Sequence, residues 1–194
     1  MKQPGEISKQ CLLYCQLMRT SICIFFFLIL FNCDKEPQYI PPTLDELFVI
    51  IGSNFNIDPS LIKAVSYCES YFVTNTNRHE PQLKTNWKYV KSIPKIYRTN
   101  ELCYYSLGLM QLLPGTAYWL GYEGPPEGLY EASNNIYIGT KFIKILQRVY
   151  PKTEDMYSSY NGGHPLTNTN GTYRNQKYIN NVKRKYKQYS LKMK

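Results

Sequence analysis

A chain of 194 residues with 43% hydrophobic and 15% aromatic side chains can bury one sizeable core, which points to one domain behind a leader and leaves little room for two. The formal net charge of +9 draws the protein to anionic polymers, and the absence of a CxxC or His/Cys cluster leaves no ligand set for a metal and no sign of another cofactor. Nineteen tyrosines against eight phenylalanines and two tryptophans supply apolar faces whose hydroxyls need partners, as a sugar-lined groove or a half-buried core would use them.

The chain opens with a leader. Ser21 to Cys33, SICIFFFLILFNC, follows Arg19 as about a dozen nearly unbroken apolar residues, short for a bilayer span and suited to the core of an export signal. Residues 1–32 therefore read as a signal peptide, with Met18 as an alternative true start. Leu30-Phe31-Asn32-Cys33, followed by polar and proline-bearing sequence, resembles the lipobox of bacterial lipoproteins, although Phe31 and Asn32 are bulkier than is usual there. That resemblance implies lipidation of Cys33 and a membrane anchor through a tether over 33–43, since acyl chains bury CH₂ groups in the bilayer. Simple secretion and an uncleaved anchor stay open. Without residues 1–32 the charge is still +7, and export makes wall and membrane phosphates the anionic partners in place of nucleic acid. Cys68 and Cys103 remain as two cysteines in an oxidising compartment, where they could form a disulfide.

The domain begins near residue 43. Thr43-Leu44-Asp45-Glu46 has the form of a capping box ahead of Leu44, Leu47, Phe48, Ile51 and Phe55 at helical spacing. Asp58-Pro59 starts a second helix, with Leu61, Ile62, Val65, Cys68 and Phe72 on one arc. No period is sustained from Val73 to Tyr104, which predicts an irregular lobe around 73–105 with short strand pieces between 79 and 105. A turn at 106–113 leads into a short helix ending near Gly121. A long helix follows from Ser133 to Tyr150, with Ile136, Phe142, Ile143, Leu146 and Val149 inward. A shorter one starts at Thr153, with Glu154 and Asp155 at its positive end, and a last one runs from about Thr172 to Gln188 with Tyr178, Ile179, Val182 and Tyr186 inward. The fold class is mainly α, and residues 190–194 form a basic tail.

One residue breaks the pattern. Glu69 lies four residues beyond Val65 and seven beyond Ile62, at the edge of the apolar stripe of the second helix. A carboxyl in such a place has its pKa raised by desolvation and stays protonated near neutrality, which makes it a general acid. On the helix pattern alone, a glutamate neutralised by a lysine or arginine, or turned to solvent, is the commoner case.

The blocks Ile62-Lys63-Ala64-Val65, Glu69-Ser70-Tyr71-Phe72, Gly108-Leu109-Met110-Gln111 with Pro114-Gly115-Thr116-Ala117, Asn135-Ile136 to Gly139-Thr140, and Tyr160-Asn161-Gly162-Gly163 together resemble the lytic transglycosylase domain of the soluble lytic murein transglycosylases. The resemblance covers about residues 44–189, and Arg78-His79-Glu80-Pro81 resembles a branch that includes phage-associated members. It implies a lysozyme-like single domain, a monomer, acting on peptidoglycan glycan strands without metal or cofactor. Glu69 would be the sole catalytic acid/base, first protonating the oxygen between MurNAc and GlcNAc and then deprotonating the muramic C6 hydroxyl to give a 1,6-anhydro product. By the same resemblance Ser70, Met110, Gln111, Tyr160 and Asn161 would bind substrate, with the Tyr160 hydroxyl approaching Glu69. Ser70 as a hydroxyl bonding the backbone and Met110 as core filler remain as alternatives. Residues 82–104 fit the family poorly. A goose-type hydrolytic lysozyme would need a second carboxylate, Glu80 or Glu101, and a catalytically silent peptidoglycan-binding lipoprotein would keep the fold without turnover.

Overall fold

The computed structural model describes residues 41–192, and its compact unit begins at Pro42. The signal peptide over 1–32, the start at Met18, lipidation at Cys33 and residues 33–40 of the 33–43 tether lie outside the described residues, as do the last two residues of the basic tail.

Helix α1, Leu44–Phe55, starts on a complete capping box: Glu46 N–H donates to Thr43 Oγ1 at 3.3 Å and Thr43 N–H donates to Glu46 Oε2 at 2.7 Å. Helix α2, Pro59–Ser70, is capped by Asp58, whose carboxylate accepts from Ser60 N–H at 2.8 Å, with Pro59 in the first turn. It packs between α1 and α7, Gln176–Ser190, and is buried along Leu61, Ile62, Ala64 and Val65. Two consecutive left-handed residues, Tyr71 (φ 54) and Phe72 (φ 68), end α2 and turn the chain away at once.

The chain then forms β1, Asn77–His79, which pairs antiparallel with β2, Tyr105–Leu107, in the register Asn77↔Leu107, Arg78↔Ser106, His79↔Tyr105. The strands flank the lobe, starting before residue 79 and ending after residue 105, where strand pieces between those positions are expected from the sequence. Three 3₁₀ turns, Pro81–Thr85, Lys95–Tyr97 and Glu101–Tyr104, and a six-residue helix α3, Trp87–Ser92, fill the segment between them. Six residues are too few to establish a 3.6-residue period, which is why α3 is not legible in the sequence. Ile93 and Cys103 are buried inside this lobe, and the Tyr89 hydroxyl bonds the Cys103 carbonyl while accepting from Gly115 N–H at 3.2 Å.

Helix α4, Pro114–Trp119, a 3₁₀ turn at Pro126–Tyr130, α5, Ala132–Val149, and α6, Thr153–Gly162, complete the body with α7. The core gathers Ile62, Val65, Leu109, Met110, Ile136, Ile143, Ile179 and Val182, all inaccessible to solvent or nearly so. Val149, expected inward, is exposed where α5 gives way to its cap at Tyr150. Helix α7 begins later than Thr172 because an isolated bridge pairs Thr167 with Tyr173 and a turn at Gly171 (φ 78) occupies the chain before it. Among the described residues no helix is long and apolar enough to cross a membrane.

Candidate active site

A cavity of about 280 Å³ opens between the lobe and the helical body, with Glu69, Arg78, Glu80, Gln111, Tyr160 and Asn161 among its lining residues. Glu69 sits one residue before the end of α2, so the same stripe that buries Ile62 and Val65 carries its carboxyl against protein while leaving one side open to the cavity. The Tyr178 hydroxyl, from α7, donates to Glu69 Oε1 at 2.6 Å. Burial pushes the Glu69 carboxyl up to about 7, against the opposing pull of the Tyr178 hydrogen bond and the Arg78 cation. A carboxyl raised this far holds its proton to much higher pH than an exposed glutamate, as a general acid requires.

The second wall is the 106–113 loop, and its shape depends on Asn135 of α5. The buried Asn135 amide accepts from Met110 N–H at 2.7 Å and donates to Leu107 O at 2.9 Å and Leu129 O at 2.6 Å. Gly108 (φ 73) passes so close that a Cβ there would stand 2.5 Å from Asn135 Nδ2 and from Leu129 O. Ser70 ties the loop to α2: its hydroxyl is buried and donates to Leu109 O at 2.7 Å. Ser70 thus bonds the backbone and has no place on the cavity wall, the alternative its position at the helix end allowed.

Met110 also faces away from the cavity. Its side chain is fully buried against Gly139, where a Cβ would lie 2.4 Å from the sulfur. Gln111 does line the cavity, in a left-handed conformation (φ 48), with its amide held at both ends: Nε2 donates to Gly108 O at 2.9 Å and Oε1 accepts from Ser106 Oγ at 3.2 Å.

Tyr160 of α6 lines the cavity too, but its hydroxyl donates to Met110 O at 3.0 Å and not to Glu69. Burial and then the Glu69 charge hold its phenol well above the usual range, so the two groups are neighbours without being bonded. The tyrosine that touches the carboxyl is Tyr178, eighteen positions later; its place on the inward face of the last helix is visible in the sequence, but its partner 109 residues away is not. Asn161, exposed at the rim, accepts from Asn175 Nδ2 at 3.2 Å.

Glu80 shares the cavity with Glu69, and both its oxygens are engaged, by Arg78 Nε at 2.7 Å and Gln82 Nε2 at 2.7 Å. Glu101 lies elsewhere, paired with Lys84 at 2.6 Å. Cys68 and Cys103, which the sequence allows to pair, are both free thiols. Cys68 lies on α2 near Lys185 and Arg184, whereas Cys103 is buried in the lobe with its thiol directed at Tyr97 O, 3.3 Å away. Burial pushes both thiols up to about 11, which leaves neither as a ready nucleophile. Among the described residues no group of three or more His, Cys, Asp or Glu gathers where it could hold a metal ion.

The profile of one protein family, described as Transglycosylase SLT domain, matches residues 46–183. A comparison with proteins of curated function found no match.

Proposed function

The chain belongs to the transglycosylase SLT domain family, and within that family's chemistry we propose that Glu69 is the single general acid/base, cleaving the MurNAc-GlcNAc β-1,4 bond without water and leaving a 1,6-anhydro-MurNAc end. Members of the family are lytic transglycosylases with a lysozyme-like fold, so the protein is an enzyme that acts on peptidoglycan in the cell envelope. The observation that carries the finer reading is the Glu69 carboxyl, half enclosed at the cavity wall with its pKa raised to about 7 by burial.

In the first step the Glu69 proton passes to the glycosidic oxygen, the bond from that oxygen to muramic C1 breaks, and GlcNAc leaves with a free 4-hydroxyl. The substrate's own acetamido oxygen stabilises the cationic C1, so the protein need not supply a second carboxylate. In the second step the Glu69 carboxylate takes the proton of the muramic C6 hydroxyl as O6 bonds to C1. Glu69 ends protonated, as it began. Gln111 and Asn161, at the cavity wall, are the side chains we assign to sugar contact, while Ser70, Met110 and Asn135 act through the loop they hold. Residues 44–189 form the catalytic domain in this reading, and lipidation of Cys33 would tether it to a membrane.

Hydrolysis of the goose-lysozyme type is the second reading, favoured by the presence of Glu80 in the same cavity. Against it, Glu80 spends both oxygens on Arg78 and Gln82, leaving little to orient a water. Mass analysis of products from purified residues 34–194 on peptidoglycan decides between them. Anhydro-muropeptides, lost in Glu69→Gln, are the expected result; reducing ends would establish hydrolysis, and undiminished cleavage by Glu69→Gln would remove Glu69 from the chemistry.

A further inference from the structure

We propose that Arg78 forms a carboxylate-binding subsite at the rim of the Glu69 cavity, engaging the acid carried by the lactyl side chain of muramic acid, either the lactyl carboxylate itself or a carboxylate of the peptide attached to it. This rests on the reading of the site as a peptidoglycan cleft.

The geometry begins with the two-stranded sheet. Arg78 stands directly opposite Ser106 in the ladder, and side chains of such a pair share a face. Both line the cavity, while the next pair, His79 and Tyr105, stacks at 4.7 Å on the other face. The strand alternation therefore aims Arg78 at the site that holds Glu69.

The guanidinium is fixed from behind and free in front. Its Nε donates to Glu80 Oε1 at 2.7 Å, and Glu80 is itself held through Oε2 by Gln82 Nε2 at 2.7 Å. Glu80 is largely buried, its side chain 17% exposed, while that of Arg78 is 62% exposed. The two terminal nitrogens of Arg78 find no acceptor among the described residues. Their end-on pair of N–H groups matches the spacing of two carboxylate oxygens, an arrangement that lysine, a point charge, cannot provide. Compensating Glu80 would need no more than a lysine.

The surroundings select the ligand. Among the described residues that line this cavity, Arg78 is the one cation. A neutral polysaccharide gives a cation nothing to pair with, whereas the repeat of peptidoglycan has its acid on the lactyl ether of the sugar whose C1 must meet Glu69. A substrate carboxylate at Arg78 would also offset the cation's downward pull on the Glu69 pKa, so that binding favours the proton-donating form of Glu69.

The test uses the exported chain, wild type, Arg78→Gln and Arg78→Lys, on three sets of soluble glycan strands: peptide-bearing, peptide-free with free lactyl carboxylates, and peptide-free with those carboxyls converted to methylamides. Wild type is expected to show a KM about fivefold lower on at least one carboxylate-bearing set than on the methylamide set, the upper end of what an exposed charge-assisted fork gives. Arg78→Gln abolishes that discrimination, and Arg78→Lys restores part of it. Discrimination confined to peptide-bearing strands assigns the carboxylate to the peptide; discrimination that persists without peptide assigns it to the lactyl group. Equal KM on all three sets for wild type, or a loss in Arg78→Gln that is the same on all three, would overturn the subsite. The catalytic reading is checked separately by Glu69→Gln and the product masses, which do not depend on Arg78.

Discussion

Replacing Tyr178 by phenylalanine removes one hydroxyl, the one that donates to Glu69 Oε1 at 2.6 Å. That bond favours the ionised carboxyl, and burial opposes it, with a resulting pKa of about 7. A hydrogen bond to a charged group is worth ~1.5–3 kcal/mol and one to a neutral group ~0.5–1.5 kcal/mol. The difference, about 1–1.5 kcal/mol, is what the two protonation states of Glu69 feel differently, and at 1.36 kcal/mol per unit it amounts to about one pKa unit. Tyr178→Phe therefore raises the Glu69 pKa toward about 8. Because the free enzyme must enter the reaction with Glu69 protonated, kcat/KM falls as pH rises through that pKa. The assay is the pH profile of kcat/KM on soluble glycan strands between about pH 5 and 9, bracketing the ordinary and raised carboxyl values. The descending limb should move up by about one unit in Tyr178→Phe, even if the plateau drops through looser positioning. Tyr160→Phe is the control: its hydroxyl is bonded to Met110 O, so the limb should stay in place. A limb that stays or moves down in Tyr178→Phe, or that moves equally in Tyr160→Phe, would refute the account of how Glu69 is tuned.

Three further outcomes follow from the same geometry. Glu69 has a folded pKa of about 7 against an ordinary 4.5, so the native state binds the proton more tightly than the unfolded chain does, and stability falls as pH rises through this window. Glu69→Gln removes that loss: urea denaturation should show the variant more stable than wild type at pH 8 by on the order of 3 kcal/mol at most, with little of this difference at pH 4; an equal difference at both pH values would contradict it. Asn135→Leu leaves Met110 N–H and Leu129 O without the amide that partners them, while Leu107 O keeps Leu112 N–H, and should cost at least about 2 kcal/mol in the same measurement and lower kcat, because the wall opposite Glu69 loses its shape. Alkylation of the denatured chain without reductant, followed by peptide mapping, should label both Cys68 and Cys103; a crosslinked peptide pair would show that they bridge after all.

Much of the site is legible in the sequence because it is local. The cap at Thr43, the Asp58-Pro59 helix start and the spacing of Glu69 from Ile62 and Val65 each depend on residues within two helical turns, and the structure keeps all three. The roles of Ser70, Met110 and Asn135 are not legible in this way. Each is decided by backbone groups that reach it from another segment: Leu109 O for Ser70, the face of Gly139 for Met110, and three separate loop positions for Asn135.

The sequence by itself places a carboxylate on the apolar face of a helix in a basic, mainly helical chain, and its blocks in series suffice to indicate the family. Which tyrosine holds that carboxylate, and which way Arg78 points, are decided by tertiary structure alone. Tyr160 and Tyr178 both stand on inward faces of late helices, and only the packing of α7 against α2 brings the second hydroxyl to Glu69. A hydrogen bond is satisfied over about 3 Å, whereas helical periodicity fixes only which side of a helix a residue faces. The choice between two equally inward hydroxyls is therefore made by how the helices dock.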